Sequence, residues 1–455
     1  MRTAMALRRA MPVALALGLV SCAAGGKAQK PAAAAADPVA TTEGDVTQSS
    51  VQGMTVLVKR VPGAEMASAV LFVRGGSRNW GKDDAGVEAL ALQVATNGGT
   101  QALAKAAFGE RLAALGGSIS ASTGRDWSTL LAKGPVSSFE PLFGLLADTF
   151  LRPAMLAPEV EVWRQRQLMI LKRTEDDPDG RLRQMVSDAF YAGHPYVNRP
   201  EGTLATMKVL TEAQLSAHLL KLRETSRLLL VVVGDLAAAR VIELARASYG
   251  ALPRGEFAPP PLPALAFAAA RLSTEERKIP TNYIEGLAPA PGPKDPLYPA
   301  ARVATECLWN RLFEEVRTKR NLTYAVKAPY EVNEGPSAAG VYVTAVDPNA
   351  TLPVIQGELR KLQDVPLGDV ELAGHKAVYR SSFLTNAETT DGQALLLGRG
   401  LLLTGDWRWS KRFLSAVDAV TPADIQAYAK KTFGKLQVVL LGDPTRLDPK
   451  IATAL

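Results

Sequence analysis

The sequence predicts an α+β fold of two homologous halves, and three observations carry that prediction. The first is a repeat at a separation of about 210 residues. Leu210 to Leu215 opens a helix capped by Thr211, which leads to the apolar run Leu228–Val233 and then Gly234-Asp235. Val420 to Ile425 opens another, capped by Thr421 with Pro422 at its first position, and leads to Val438–Leu441 and Gly442-Asp443. The second observation lies between the copies: Leu252 to Pro263 is a proline-rich stretch with little to pack, as a stiff linker is. The third is the mixture, before the linker, of short strand-like runs and longer helical stretches. A repeat of that length implies a duplicated domain and not a solenoid.

Taken in order, the chain begins with a segment that belongs to neither half. Arg2, Arg8 and Arg9 form a basic start, and Met11–Val20 is an apolar run of signal-peptide length, too short to span a membrane. It ends Leu19-Val20-Ser21-Cys22, which resembles the lipobox of bacterial lipoproteins, cut before a cysteine that is then acylated. The resemblance implies a signal peptide over 1–21, lipidation at Cys22, and an envelope protein anchored in the outer membrane and facing the periplasm. Residues 22–50 are rich in Ala, Gly, Thr and Ser and are expected to be a flexible tether. The first domain is expected over 51–251, the linker over 252–268 and the second domain over 269–455.

Within the first domain, Met54–Val58 and Ala69–Val73 read as strands, followed by a break at Gly75-Gly76. Helices are expected over 84–97, 101–115, 137–150, 157–174 and 180–191, and strands near 118–123 and 127–133. At 455 residues and 47% hydrophobic content the chain can bury several cores. Its formal charge of +7 falls to +4 without the three leading arginines, too small over this length to argue for nucleic acid. With Cys22 acylated, Cys307 is left without a disulfide partner.

The most informative stretch runs from Leu308 to Val326. Leu308, Trp309, Leu312, Phe313 and Val316 recur at helical spacing, and Arg317, Lys319 and Arg320 occupy the last turn, where the carbonyl end of the helix dipole favours cations. Asn321 suits a left-handed stop, and Leu322–Val326 alternates as a strand with Leu322, Tyr324 and Val326 on one face. From the residues alone, this is either an ordinary helix–turn–strand packed in a core or a place where Arg317 and Tyr324 share a cleft.

Val316-Arg317-Thr318-Lys319-Arg320-Asn321-Leu322-Thr323-Tyr324-Ala325-Val326 resembles the C-terminal signature of the pitrilysin/insulinase family of inverted zinc metallopeptidases, with Val for its first Leu. The resemblance implies two α+β halves with antiparallel-rich sheets, facing each other as a clam shell. It also implies roles for Arg317 and Tyr324 in holding the substrate backbone and stabilising the tetrahedral intermediate.

Such a peptidase needs H-x-x-E-H on a helix, two His one turn apart on one face with a Glu to activate water. The surrounding frame is present as Arg74-Gly-Gly-Ser-Arg78, Gly86–Val94 and Asn97-Gly-Gly-Thr100. In that frame Ala89 and Gln93 stand at the His positions and Leu92 at the Glu position. The third ligand belongs six or seven residues before a turn that Glu175-Asp176-Asp177-Pro178 resembles, and Met169 or Ile170 stands there. The only histidines are His194, in the family-like phrase Gly193-His194-Pro195-Tyr196, His218 and His375. Glu371 and His375 are one turn apart, which without further ligands reads as a solvated helix contact. No metal ligand set and no cofactor are therefore expected in this chain.

The resemblance implies a non-catalytic chain, inactive alone, that supplies Arg317 and Tyr324 to an active site whose zinc and general base come from a partner chain with H-x-x-E-H. The expected partners are that peptidase subunit, a peptide substrate and a membrane. The rivals are a structural or assembly subunit, which a buried pair would favour, a peptide-binding scaffold without proteolysis, which the lack of a zinc-bearing relative encoded nearby would favour, and a self-sufficient metallopeptidase, against which the missing ligands count.

Overall fold

The computed structural model describes residues 40–455, so the signal peptide, Cys22 and the first part of the tether lie outside the described residues. Two sheets follow the duplication. The first holds β1 (Thr41–Glu43), β2 (Val46–Val51), β3 (Met54–Arg60), β4 (Met66–Val73), β5 (Ser118–Thr123), β6 (Ser128–Pro135) and β7 (Leu228–Gly234), in the order β1-β2-β3-β7-β4-β6-β5. The second holds β8 (Arg271–Glu276), β9 (Asn282–Ala290), β10 (Val326–Lys327), β11 (Tyr330–Glu331), β12 (Ser337–Ala345) and β13 (Gln437–Gly442), in the order β10-β12-β9-β13-β8, with β11 also on β12. The path β3-β7-β4-β6-β5 is repeated by β8-β13-β9-β12-β10. In each the first pair is parallel and the others antiparallel.

Helices follow the same order in both halves. The first half has α1 (Val87–Asn97), α2 (Lys105–Ala114), α3 (Phe139–Leu151), α4 (Ala157–Asp176), α5 (Pro178–Phe190), α6 (Leu204–Val209), α7 (Glu212–Leu222) and α8 (Ala238–Tyr249). The second has α9 (Tyr298–Leu312), α10 (Pro348–Asp364), α11 (Asp369–Thr385), α12 (Thr390–Thr404), α13 (Trp409–Asp418), α14 (Pro422–Thr432) and α15 (Pro449–Thr453). The repeated starts are capped as their sequences require: Thr211 accepts from the Gln214 N–H and Thr421 from the Asp424 N–H, each returned by the third residue's side chain.

The apolar runs that end the two repeats have a physical reason. In β7, Leu228, Leu230 and Val232 face the first half's helices, while Leu229, Val231 and Val233 face the other way, onto Ala394 and Leu397 of α12. In β13, Val438 and Leu440 face the second half's core, while Val439 and Leu441 meet Leu182, Val186 and Phe190 of α5. Each half thus lends one helix to the outer face of the other's sheet. A strand buried on both faces reads as a continuous apolar run and not as an alternation. Asp177 starts α5 by accepting from the Gly180 N–H at 2.8 Å, with Pro178 in the first turn. Gly398 lets α12 approach β4, because a Cβ there overlaps the Phe72 ring.

The two halves face one another and are closed by a buried polar network made from two family-like phrases. Arg78 of the Gly-Ser-Arg turn pairs with Asp126 at 2.9 Å and with Glu334 of the second half at 3.3 Å. Tyr196 donates to Asp126 at 2.5 Å and accepts from the Gly335 N–H at 2.8 Å. His194 bonds the Pro263 carbonyl of the linker at 3.1 Å. Both phrases therefore fasten the halves together.

Two expectations need correction. The tether does not reach residue 50 and the fold does not start at 51, because β1 and β2 already pair with the sheet. Val46 and Val51 are buried, Thr42 bonds Thr47 across the hairpin at 2.9 Å, and Trp407 donates to Gln48 at 3.0 Å. Thr and Ser in this stretch serve an edge strand, although their composition resembles a linker. The strand expected over Leu322–Val326 is also largely absent, and only Val326 and Lys327 pair, with Val343 and Tyr342. Thr323 bonds its own chain at the Ala325 N–H and donates to the Thr344 carbonyl, holding the segment in an irregular turn.

Candidate functional site

Helix α9 does not end as an ordinary helix. It runs into one turn of π-helix over Phe313–Thr318, where the Lys319 N–H reaches back to the Glu314 carbonyl. Asn321 follows with φ 50°, the left-handed stop its position suggested. Glu315 takes up two of the cations of that turn, Lys319 at 2.7 Å and Arg320. The third, Arg317, lies over the Phe313 ring and the Tyr324 ring, 4.9 Å from each centroid. Among the described residues no carboxylate pairs with Arg317. Tyr324 is 82% exposed, so the pair is together and open to solvent, not packed in a core.

The degenerate metal frame sits in the first half and is filled in. Leu92 is fully buried in the core, and Ala89 is half-buried beside it. Gln93 spends its amide on the Ala121 carbonyl of β5 at 3.2 Å. On α4, Met169 and Ile170 are 65% and 57% exposed and offer no ligand atom fit for zinc. Nothing in this set fits a catalytic zinc.

Helix α1 also carries an acid that no sequence signal marked. Glu88 is fully buried and accepts from the Gly76 N–H at 3.2 Å, from the Ser128 hydroxyl, and faces His218 Nε2 at 2.9 Å. His218 lacked a carboxylate one turn away, but its partner comes from α1, 130 residues earlier. The edge of Trp80 closes the pair. Its partners are all internal, so it ties α1, α7 and the glycine turn together.

Comparison with known proteins decides the family. Residues 55–203 match the family model described as insulinase, peptidase family M16, and residues 210–379 match that of the peptidase M16 inactive domain. The chain belongs to the M16 peptidase family. An uncharacterized zinc protease of Mycobacterium leprae is 25% identical to this M16 chain over 420 residues, covering 90% of it and 92% of the relative. A solved peptidase M16 inactive domain from Pseudomonas fluorescens has a TM-score of 0.80 at 21% identity, covering 87% of this chain and 97% of the other. A chain of complex III from Candida albicans has a TM-score of 0.76 at 16% identity, covering 89% and 98%. The match to the peptidase M16 inactive domain supports a non-catalytic M16 homologue, and the positions that the family resemblance gives the metal hold Ala89, Leu92 and Gln93.

The M16 chain also has a cavity of about 380 Å³ where α5 crosses the second sheet, lined by Arg125, Arg183, Glu285, Lys327, Glu331 and Tyr342. Lys327 belongs to the strand that follows Tyr324 and lies over the Tyr342 ring at 4.9 Å. Burial, helped by the Glu331 carboxylate, pushes the Glu285 carboxyl from 4.5 up to about 7. Between those values the unfolded chain has released this proton while the folded chain keeps it. Stability from this group therefore falls as pH rises from about 4.5 to 7, and the penalty persists above. Glu285→Gln should match wild type near pH 4 and exceed it by roughly 3 kcal/mol near pH 8. Urea midpoints at the two pH values check this, and an equal difference at both contradicts it.

Proposed function

We propose that this chain is the substrate-gripping, non-catalytic subunit of a heteromeric zinc peptidase, held at a bacterial envelope membrane by acyl chains on Cys22. The observation that carries the reading is the asymmetry of the two residue sets. The metal positions are buried, engaged or apolar, whereas Arg317 and Tyr324 stand stacked together with Tyr324 open to solvent. A purely structural or assembly subunit needs neither exposure nor this pairing, and burial of the pair would have supported it.

Arg317 donates hydrogen bonds to a peptide carbonyl, and the Tyr324 hydroxyl donates to the oxyanion that forms at the scissile bond. Stacking between Phe313 and Tyr324 holds the guanidinium plane in place without spending its N–H groups. The π-turn sets Arg317 on the side of the helix that faces Tyr324, while Glu315 draws Lys319 and Arg320 away. The partner's zinc supplies activated water and Lewis acidity.

Arg317→Ala tests the binding half of this reading. Mixed with a zinc-bearing H-x-x-E-H partner, it should raise KM by about tenfold or more, the 1.5–3 kcal/mol of a charged hydrogen bond, while complex formation stays intact. Steady-state peptide hydrolysis alongside size-exclusion of the complex checks it. An unchanged KM in an intact complex favours the scaffold.

A further inference from the structure

The second half brings together a set of metal-ligating atoms that the sequence kept apart. Cys307 lies on α9, and Glu371 and His375 lie one turn apart on α11, packed against it. One ligand atom from each falls within 4.8 Å of the others. Cys307 Sγ is 3.8 Å from Glu371 Oε1, and His375 Nε2 is 3.9 Å from the same oxygen. Around a tetrahedral zinc such atoms stand about 3.3–3.6 Å apart, as bonds of about 2.0–2.3 Å require. A contraction of a few tenths of an ångström closes the two distances to Glu371, and the Cys307–His375 pair, within 4.8 Å, must draw in with them.

We propose that Cys307, Glu371 and His375 form a binding site for a borderline divalent cation, zinc above all. Thiolate, imidazole and carboxylate together are a zinc set, whereas calcium and magnesium want oxygen alone. The supporting residues fit that role. The Asn310 amide lies 3.4 Å from His375 Nδ1, and with its oxygen toward the ring it accepts Nδ1–H and leaves Nε2 bare for metal. Arg311 donates to Glu371 at 2.8 and 3.0 Å, and a small rotation of the carboxylate gives Arg311 one oxygen and the metal the other. Cys307 is fully buried behind Glu371 and His375, which line an open surface groove with Asn310, Arg311 and Glu358, so an ion enters between these two side chains and keeps its fourth position on the groove side for water. Binding replaces the S–H bond with a metal–sulfur bond and releases the proton to solvent, with no change of oxidation state.

The site is independent of the proposed role of Arg317 and Tyr324, and of the metal that role assigns to a partner. It lies between the first and third helices that follow β9, whereas the degenerate frame is on α1 and α4 of the other half.

The test is a cobalt(II) titration of the full chain carrying Cys22→Ser, which leaves Cys307 as its only thiol. About one cobalt per chain should bind, with a near-ultraviolet thiolate-to-metal charge-transfer band and the visible bands of four-coordinate cobalt, and zinc should displace it. His375→Gln, close to the surface and able to fold if Cys307→Ser does not, should weaken binding at least about tenfold with unchanged circular dichroism. Absence of the charge-transfer band at large cobalt excess overturns the proposal, as does equal affinity in His375→Gln. The degenerate frame has no cysteine, so cobalt bound there gives no such band and cannot imitate the result.

Discussion

Tyr324→Phe is expected to lower the turnover of the assembled peptidase by about 10²–10³ while leaving its assembly intact, the effect of losing one donor to a developing oxyanion. The substitution removes one hydroxyl from a side chain that is 82% exposed, so the fold has nothing to lose. The ring stays, and with it the platform on which Arg317 lies at 4.9 Å. KM should therefore move little while kcat falls, the reverse of Arg317→Ala. Hydrolysis by the complex, with its stoichiometry measured in parallel, gives the answer. Full activity from Tyr324→Phe in an intact complex reduces the pair to packing.

The second large effect is on stability. Phe190→Ala removes a fully buried ring from the cluster where α5 of the first half lies on β13 and β9 of the second. A loss of about 3–5 kcal/mol is expected from the missing burial and the cavity it leaves. Because α5 and α12 are exchanged between the halves, the loss should appear in one transition and not as the melting of a single half. Denaturant unfolding followed by tryptophan fluorescence and by circular dichroism should give coincident curves. Two separated transitions contradict the coupling that the exchanged helices impose.

That exchange also explains what could be read in advance. Leu228–Val233 and Val438–Leu441 announced two matching strands because helices from opposite halves bury both of their faces. Capping at Thr211 and Thr421 and the left-handed Asn321 followed from local chemistry, which sequence carries directly. The strand over Ser118–Thr123 was found where expected, since its alternation is real. Misreadings arose where a distant partner decides the outcome. The Thr- and Ser-rich start resembled a tether because its stabilisers, Trp407 and Arg408, lie some 360 residues away. Leu322–Val326 resembled a strand until Thr323 tied its hydroxyl to Thr344. Glu88 with His218, and Cys307 with His375, show no local spacing at all, so only the packing of α1 on α7 and of α9 on α11 brings them together. The Arg317–Tyr324 pair was legible because one short segment carries both residues.

The central claim is that this chain completes an active site whose zinc belongs to another. Its most direct test is to isolate the full chain from its own cells with whatever binds it, and then assay peptide hydrolysis by the complex and by each separated chain. The account predicts a complex with an H-x-x-E-H chain that holds the zinc in that frame, cleaves peptide when both chains are present, and falls to background when either is alone. A zinc-bearing chain that cleaves equally well without this one, or no such chain in the complex, contradicts it.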